Sequence, residues 1–195
     1  MVPVIPIVTT SRLTLTPLSP HDIDKVFDIY RDPATWEHLP TGRHRRREES
    51  VALIAAGQRS WTESGAGPWA IRIGRTGSLG NLLPGMFIGT GGVTLTASGL
   101  WNLGYRLAPT SWGRGLATEM ATAAIMSATT ANSTAPVTAR ALSNNPASCA
   151  VAERVGLKLL WEGPTKDTVA AGVRRRIYAD REPTAAQLEW LVARA

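Results

Sequence analysis

Cysteine is almost missing from this chain. Cys149 stands alone among 195 residues, so no intramolecular disulfide can form, and the chemistry fits a reducing, cytoplasmic setting. No apolar run is long enough to span a bilayer. The opening MVPVIPIVTT carries two prolines and no basic stretch, which makes it a poor secretory leader. There is no internal repeat, and no metal-ligating set is read from the sequence. These absences argue against a disulfide scaffold, a membrane-spanning protein and a repeat array.

What is present fits a globular enzyme or binding protein. Charged residues make up 18% and hydrophobic residues 44%, the balance of a soluble folded domain. The length suits one domain over residues 1–195, with its core over about residues 9–181. Twenty-one Lys and Arg face 15 Asp and Glu, for a net charge of +6. That excess favours an acidic partner: nucleic acid, the ribosome or a phosphorylated cofactor.

The stretch Leu100–Glu119, LWNLGYRLAPTSWGRGLATE, organises the rest. Leu100 to Leu107 reads as a strand stopped by Pro109. Gly113 and Gly115 bracket Arg114. Leu116, Ala117, Met120, Ala123 and Ala124 then recur at helical spacing. A glycine turn that opens a helix points several unpaired backbone N–H groups one way, and the helix dipole adds partial positive charge there. Such a turn suits an anion, most often a phosphate; the bland alternative is a tight turn and nothing more. The dinucleotide fingerprint G-x-G-x-x-G fails because Thr118 takes the third glycine's place, and no Gly-Lys-Ser/Thr follows to make a Walker loop.

The segment Trp112-Gly113-Arg114-Gly115-Leu116-Ala117-Thr118-Glu119 resembles the pyrophosphate loop of the GNAT superfamily of N-acetyltransferases, in the form found in its ribosomal-protein (RimJ/RimL-like) branch. Trp112 stands where the wider superfamily has Gln or Arg. The resemblance implies acetyl-CoA as cofactor, held by backbone N–H groups from Trp112 through Ala117 with a hydroxyl from Thr118. It also implies that backbone of Tyr105-Arg106-Leu107 faces the acetyl and pantetheine portions, and that two central strands splay to admit them. The family is often dimeric, so a homodimer is a further implication.

Around this stretch the pattern predicts a mixed α/β fold, a mostly antiparallel central sheet flanked by helices. Thr10–Leu18 alternates as a strand with Leu13 and Leu15 on one face. Ser19 caps a helix with Pro20 at its first position, and Ile23, Val26, Phe27 and Tyr30 form its apolar stripe up to Asp32-Pro33. Trp36 to Gly42 reads as a loop. A second helix carries Val51, Ile54 and Trp61 and starts near Glu48, because the preceding Arg43–Arg47 run would oppose the dipole. That run is either a solvated basic face or a clamp on an acidic substrate. Strands follow at Trp69–Ile73 and Met86–Leu95, with bulges expected at Gly89, Gly91 and Gly92. Beyond the central helix come a strand at Val137–Leu142, a helix capped by Asn145 with Pro146 inside, an antiparallel pair (Leu157–Trp161, Arg174–Tyr178) and a short terminal helix over Pro183–Ala195.

Candidate chemistry sits in three places. Asn144-Asn145-Pro146-Ala147-Ser148 resembles the family's N-x-x-S segment, which implies that Asn145 contacts pantetheine and Ser148 protonates the departing thiolate; both residues are also ordinary at a helix start. Asn102 occupies the strand position where relatives often keep a glutamate base, and an amide cannot act as a base near neutral pH. Either water then carries the proton or the base sits elsewhere: Glu37 and His38 are the candidates in the loop after the first helix, and His38 has a suitable intrinsic pKa. The family places its acceptor site between the first two helices, here Trp36, Glu37 and His38. The acceptor is then a primary amine, either a peptide N-terminus or a small molecule. Cys149 near a helix start and Glu119 on the central helix are read as a buried small residue and an ion-pair partner. Most of the seven tryptophans are read as core. Without a basic-aromatic module, nucleic-acid binding is the weaker alternative to acetyl transfer, and a non-catalytic acyl-CoA sensor, motivated by Asn102, is the other.

Overall fold

A computed structural model describes residues 7–75 and 79–195. The strands are β1 (Val8–Thr9), β2 (Leu13–Pro17), β3 (Pro68–Ile73), β4 (Phe87–Leu95), β5 (Trp101–Leu107), β6 (Val137–Leu142), β7 (Lys158–Pro164) and β8 (Arg174–Ala179). The helices are α1 (Ile23–Arg31), α2 (Arg47–Ser64), α3 (Leu116–Ala131), α4 (Pro146–Arg154) and α5 (Ala185–Val192). All eight strands join one open sheet in the order β1-β2-β3-β4-β5-β6-β8-β7. Every neighbouring pair is antiparallel except β5 and β6, which are parallel because α3 carries the chain back between them.

Side-chain alternation gives the sheet two working faces. On one, Trp69, Ile71, Val93, Trp101, Leu103, Val137 and Tyr178 pack with Met120, Ala124 and Ala152 of α3 and α4. On the other, Ala70 meets Val26, Ile29, Tyr30 and Ile54 of the α1–α2 pair. The stripe on α1 holds at Ile23, Val26 and Tyr30, but Ile29 packs with them while Phe27 stays outside the cluster, under the Arg31 guanidinium. That on α2 differs too: Ser50, Ile54, Gly57 and Trp61 are buried, while Val51 is left exposed. The Trp36–Gly42 loop is partly wound. Short 3-10 turns at Pro33–Trp36 and Pro40–Gly42, each opening on a proline, hold it against Tyr30.

The glycines of β4 do two jobs. Opposite β3 the register slips at Ile88, so the strand bulges beside Gly89. Gly91 lets α3 lie close, since a Cβ there would meet Met120 Cε at 2.6 Å and Tyr105 Cβ at 2.7 Å. The Gly-, Ser- and Asn-rich composition of Gly74–Gly85 predicts a turn; residues 76–78 of it, like residues 1–6, lie outside the described chain.

The feature that positions the site is a divergence. β5 and β6 pair only through Trp101, Asn102 and Leu103 against Val137, Thr138 and Ala139. From Gly104 onward β5 stays with β4, and β6 stays with β8 as far as Leu142 opposite Arg175. A wedge opens between two strands that began as neighbours.

Candidate active site

Two cavities enter this wedge. The first, about 500 Å³, is lined by Trp112, Gly113, Gly115, Leu116, Ala117 and Thr118 on one side and by Asn144 to Ser148 on the other. Its floor is the end of β5. Trp101 N–H donates to Pro136 O on the β6 side, so by strand alternation Leu103, Tyr105 and Leu107 turn their peptide groups the same way. Past Leu103 that edge has lost its partner strand, and its backbone groups border the wedge.

The glycine turn is built as an anion cradle. Gly113 and Gly115 sit at φ +72° and +73°, the left-handed region that only glycine enters at little cost. Gly115 stands at the N-cap of α3 with no side-chain cap. The amides of Gly113 through Thr118 donate to no acceptor among the described residues, so the helix start keeps its orphan donors, and all of these residues except Arg114 line the cavity. The free set is shifted one residue from expectation. Trp112 N–H is taken by Pro109 O at 3.1 Å, and its indole Nε1 donates to Leu107 O at 2.9 Å. Arg114 offers the turn its backbone, as expected of it; its guanidinium is engaged by Leu79 O and Asn81 Oδ1.

The turn is braced from below. Glu119 Oε1 accepts from Thr10 Oγ1 at 2.5 Å and from Arg12 N at 2.7 Å, and its Oε2 pairs with Arg12 Nε at 2.6 Å. Arg12 Nη1 then donates to Arg114 O at 2.8 Å. Burial pushes the Glu119 carboxyl up, but the hydrogen bonds from Thr10 and Arg12 outweigh it and hold it below the usual carboxylate range. Glu119 is thus the ion-pair partner that its place on the helix predicts.

The second cavity, about 660 Å³, lies on the α1–α2 face. Asn102 and Thr94, opposite each other across β4 and β5, line it. Trp36 is buried, with Nε1 donating to Tyr30 O at 2.7 Å, and the Arg106 guanidinium lies over its ring 3.5 Å from the centroid. Arg106 also donates to Thr35 O. Sequence reasoning placed Arg106 in the cofactor groove through its backbone; its side chain belongs to this second cavity as well. Arg140, Arg175, Arg194 and Asp167 complete the wall, and Arg175 pairs with Asp167. None of these four was singled out from the sequence. Their signal was weak: one arginine, the lone charge of the Val137–Leu142 strand, and an arginine triplet in the next strand of the sheet. The more conspicuous Arg43–Arg47 run lines neither cavity; Arg45, Arg46 and Arg47 are exposed, and Arg47 pairs with Asp24 on the surface.

The cavities meet at His38, Tyr105, Arg106, Asn145, Ser148 and Val151, which line both. Asn145 caps α4 by accepting from Ser148 N at 3.1 Å, which leaves its amide NH2 outside the cap. Tyr105 OH donates to Ser148 Oγ at 3.4 Å. Burial pushes the Tyr105 phenol up, so it keeps its proton at neutral pH. Burial pushes His38 down to about 4, with Arg106 and Arg175 adding to the shift. Glu37 lines only the first cavity. Cys149 is buried behind the junction, with Sγ 3.8 Å from Leu142 O, and lines neither cavity. Among the described residues no group of three His, Cys, Asp or Glu could hold a metal, and no helix is long and apolar enough to cross a membrane.

Known proteins share this architecture. An acetyltransferase from Agrobacterium tumefaciens superposes with a TM-score of 0.72 at 26% identity, over 91% of this chain and 95% of its own. A GNAT-family acetyltransferase from Bordetella pertussis gives 0.71 at 19% identity, over 90% and 99%. RimL, a ribosomal-protein alpha-N-acetyltransferase solved with coenzyme A, gives 0.67 at 15% identity, over 91% and 99%; at that identity it attests the fold alone. The sequence model of the acetyltransferase (GNAT) domain matches residues 12–158, from the strand that precedes α1 to the start of the one that follows α4. On that match, spanning most of the chain and both walls of the wedge, this protein belongs to the GNAT acetyltransferases.

Proposed function

We propose that the protein moves an acetyl group from acetyl-CoA to a primary amine by direct attack within a ternary complex, and that residues 1–195 act as one unit, in the manner of the RimJ/RimL-like branch. The observation that carries this is the row of partnerless amides from Gly113 to Thr118 at the mouth of a wedge that ends at Tyr105 and Ser148. Those donors and the dipole of a 16-residue helix suit a diphosphate. The unpaired edge of β5 suits the amide-bearing arm that follows it, and Asn145 suits that arm from the opposite wall. Coenzyme A bound to RimL supports the same ligand, and the W-G-R-G-L-A-T-E form of the loop supports the branch.

The thioester supplies the activated acetyl group; the chain binds, orients and handles protons. Ser148, at the junction of the two cavities, would give its proton to the departing thiolate, and Tyr105 OH, protonated and 3.4 Å from Ser148 Oγ, would resupply it. Among the described residues no carboxylate lines both cavities, and Glu37 lines only the first. Asn102 cannot serve, Asp167 is held by Arg175, and His38, with a pKa of about 4, is a weak base. The chain therefore depends on an amine that reaches the site neutral. The electropositive wall favours that form, because nearby cations lower the pKa of a bound ammonium group.

The test is calorimetry with coenzyme A, then thiol release from acetyl-CoA over a panel of amines. Tight binding with turnover on at least one amine is expected. The missing base favours one second reading, a non-catalytic acyl-CoA sensor, which predicts stoichiometric binding and no turnover on any amine. Absence of heat with coenzyme A removes both.

A further inference from the structure

Strand alternation gathers the second cavity's charge. Odd-numbered residues of β5 and β6 face α3 and α4, so Arg106 and Arg140 face the opposite side. Arg175 pairs across the sheet with Leu142, two residues on from Arg140, and shares that face. Three arginines from three adjacent strands therefore converge where the sheet splits, and Arg194, after α5, adds a fourth at the rim. Against these four guanidinium groups the cavity offers one carboxylate, Asp167.

Arginines that brace this fold are satisfied by it. Arg12 holds Glu119 and Arg114 O, and Arg72 holds Asp22 and Thr16. Of the cavity arginines only Arg175 holds a carboxylate, Asp167; the other three are different. Arg106 donates to a carbonyl, as does Arg140, whose Nη1 reaches Arg194 O at 2.9 Å. Neither pairs with a carboxylate among the described residues, and nor does Arg194. The Nε donors of Arg106 and Arg175 are buried and have no partner. A buried donor left unmade costs on the order of 1–3 kcal/mol, and a planar guanidinium with a spare edge is shaped for two oxygens at once. Arg140 and Arg194 are exposed at the mouth, where they draw anions in.

We propose that the acceptor is a small amine bearing its own oxyanion, a carboxylate or a phosphate, seated by Arg106 and Arg175 with its amine toward Ser148. This rests on the acetyl-transfer reading of the same cavity. A volume of about 660 Å³ lies within the usual range of small-molecule sites. Polycationic amines meet three uncompensated positive charges and are disfavoured.

The experiment measures kcat/KM for an α-amino acid and an aminoalkyl phosphate, for their neutral amide and alcohol counterparts, for a diamine and for a short peptide with an acidic second residue. The anionic small amines should lead their neutral counterparts by about tenfold or more, with the diamine poorest; the better of the two anions tells carboxylate from phosphate. Arg175→Gln should collapse that lead through KM while coenzyme A still binds, and Arg175→Lys should restore part of it. Equal turnover of neutral amines, preference for the diamine, activity on the peptide alone, or a lead that survives in Arg175→Gln would each overturn the proposal without touching the acetyltransferase reading. If no amine in the set turns over, inorganic phosphate titrated into protein saturated with coenzyme A decides. Binding that weakens about tenfold in Arg175→Gln supports the site, and no heat, or equal heat in both proteins, overturns it. Loss of coenzyme A binding by the wild type would remove the function proposed above and leave the phosphate titration to judge the arginine site alone.

Discussion

One cavity of this protein is walled by backbone, the other by side chains. The first draws its donors from six consecutive peptide groups, Gly113 to Thr118, fixed by two left-handed glycines and braced by Arg12 and Glu119. The second draws its donors from guanidinium groups on β5, β6, β8 and the segment after α5. A backbone cradle tolerates many side chains but no change of φ. A side-chain wall tolerates backbone adjustment but no loss of the charged group. The first fits an invariant ligand and the second a variable one, and the two meet at Tyr105 and Ser148.

The largest effect should come from breaking the backbone wall. Gly115→Glu forces a side chain into φ +73° and sets a carboxylate beside the orphan amides. Strain of about 1–2 kcal/mol plus like-charge repulsion predicts a loss of coenzyme A affinity of roughly 100-fold or more. Calorimetry reads it directly. Near-normal affinity would mean that the glycines only turn the chain.

At the junction the effect should fall on turnover and spare binding. Tyr105→Phe removes the phenol that donates to Ser148 Oγ, and Ser148→Ala removes the hydroxyl itself. General acid catalysis is commonly worth about 10²–10⁴-fold. Each single variant should lower kcat toward the lower end of that range, because water reaches an open wedge, and the double variant should be little worse than the poorer single. Additive losses would show two independent donors in place of a relay.

The contrast also explains what could be read in the sequence. The cradle was legible because its parts are neighbours in the chain: the Gly113–Gly115 turn, the helix that follows and the capped start at Asn145-Pro146. The strand–helix–strand run in the middle allowed a parallel neighbour without fixing one, and β5 and β6 take that course. The arginine wall was not legible. Arg140 and Arg175 are 35 positions apart in the numbering yet share a face only because β6 pairs with β8 and not with β7, and no local pattern encodes that skip. The Arg43–Arg47 run drew attention because it is contiguous, which is the property that leaves most of it on the surface. Val51 misled for a related reason: it fits a helical stripe, but α2 is set on the sheet through Gly57, where a Cβ would meet Pro68 Cγ at 2.8 Å.

A smaller effect should follow from loosening the brace under the cradle. Glu119→Ala strips three hydrogen bonds from a carboxylate that is 14% exposed and leaves Arg12 without its counter-charge. A loss of roughly 2 kcal/mol in stability is expected, with a severalfold loss in coenzyme A affinity as Arg12 releases Arg114 O. The folded carboxyl sits below its usual range, so its contribution is present at neutral pH and disappears as pH falls through the acid range. The gap between wild type and variant in thermal melts should therefore narrow on acidification. A gap that persists unchanged would assign the loss to packing.

The finest test concerns His38, which touches both cavities and was the sequence's candidate base. Its pKa is about 4 in the folded chain, from burial first and then Arg106 and Arg175, against an ordinary 6.5. Two consequences follow. At working pH the imidazole is already neutral, so kcat/KM should rise with pH along the titration of the free amine, with no inflection from His38 between pH 5 and 8. His38→Gln should then keep the shape of that profile. In stability the sign is set by the unfolded chain, which takes up the proton first as pH falls through 6.5; the folded form is penalised from there down to about 4. Wild type should lose more thermal stability than His38→Gln across that window. The difference should be small, because the group is half exposed and His44, also pushed down by burial, titrates in the same range. If the variant flattens the rate profile while its melts track wild type, His38 acts as a base on the substrate, and the electropositive wall is not what keeps the amine neutral.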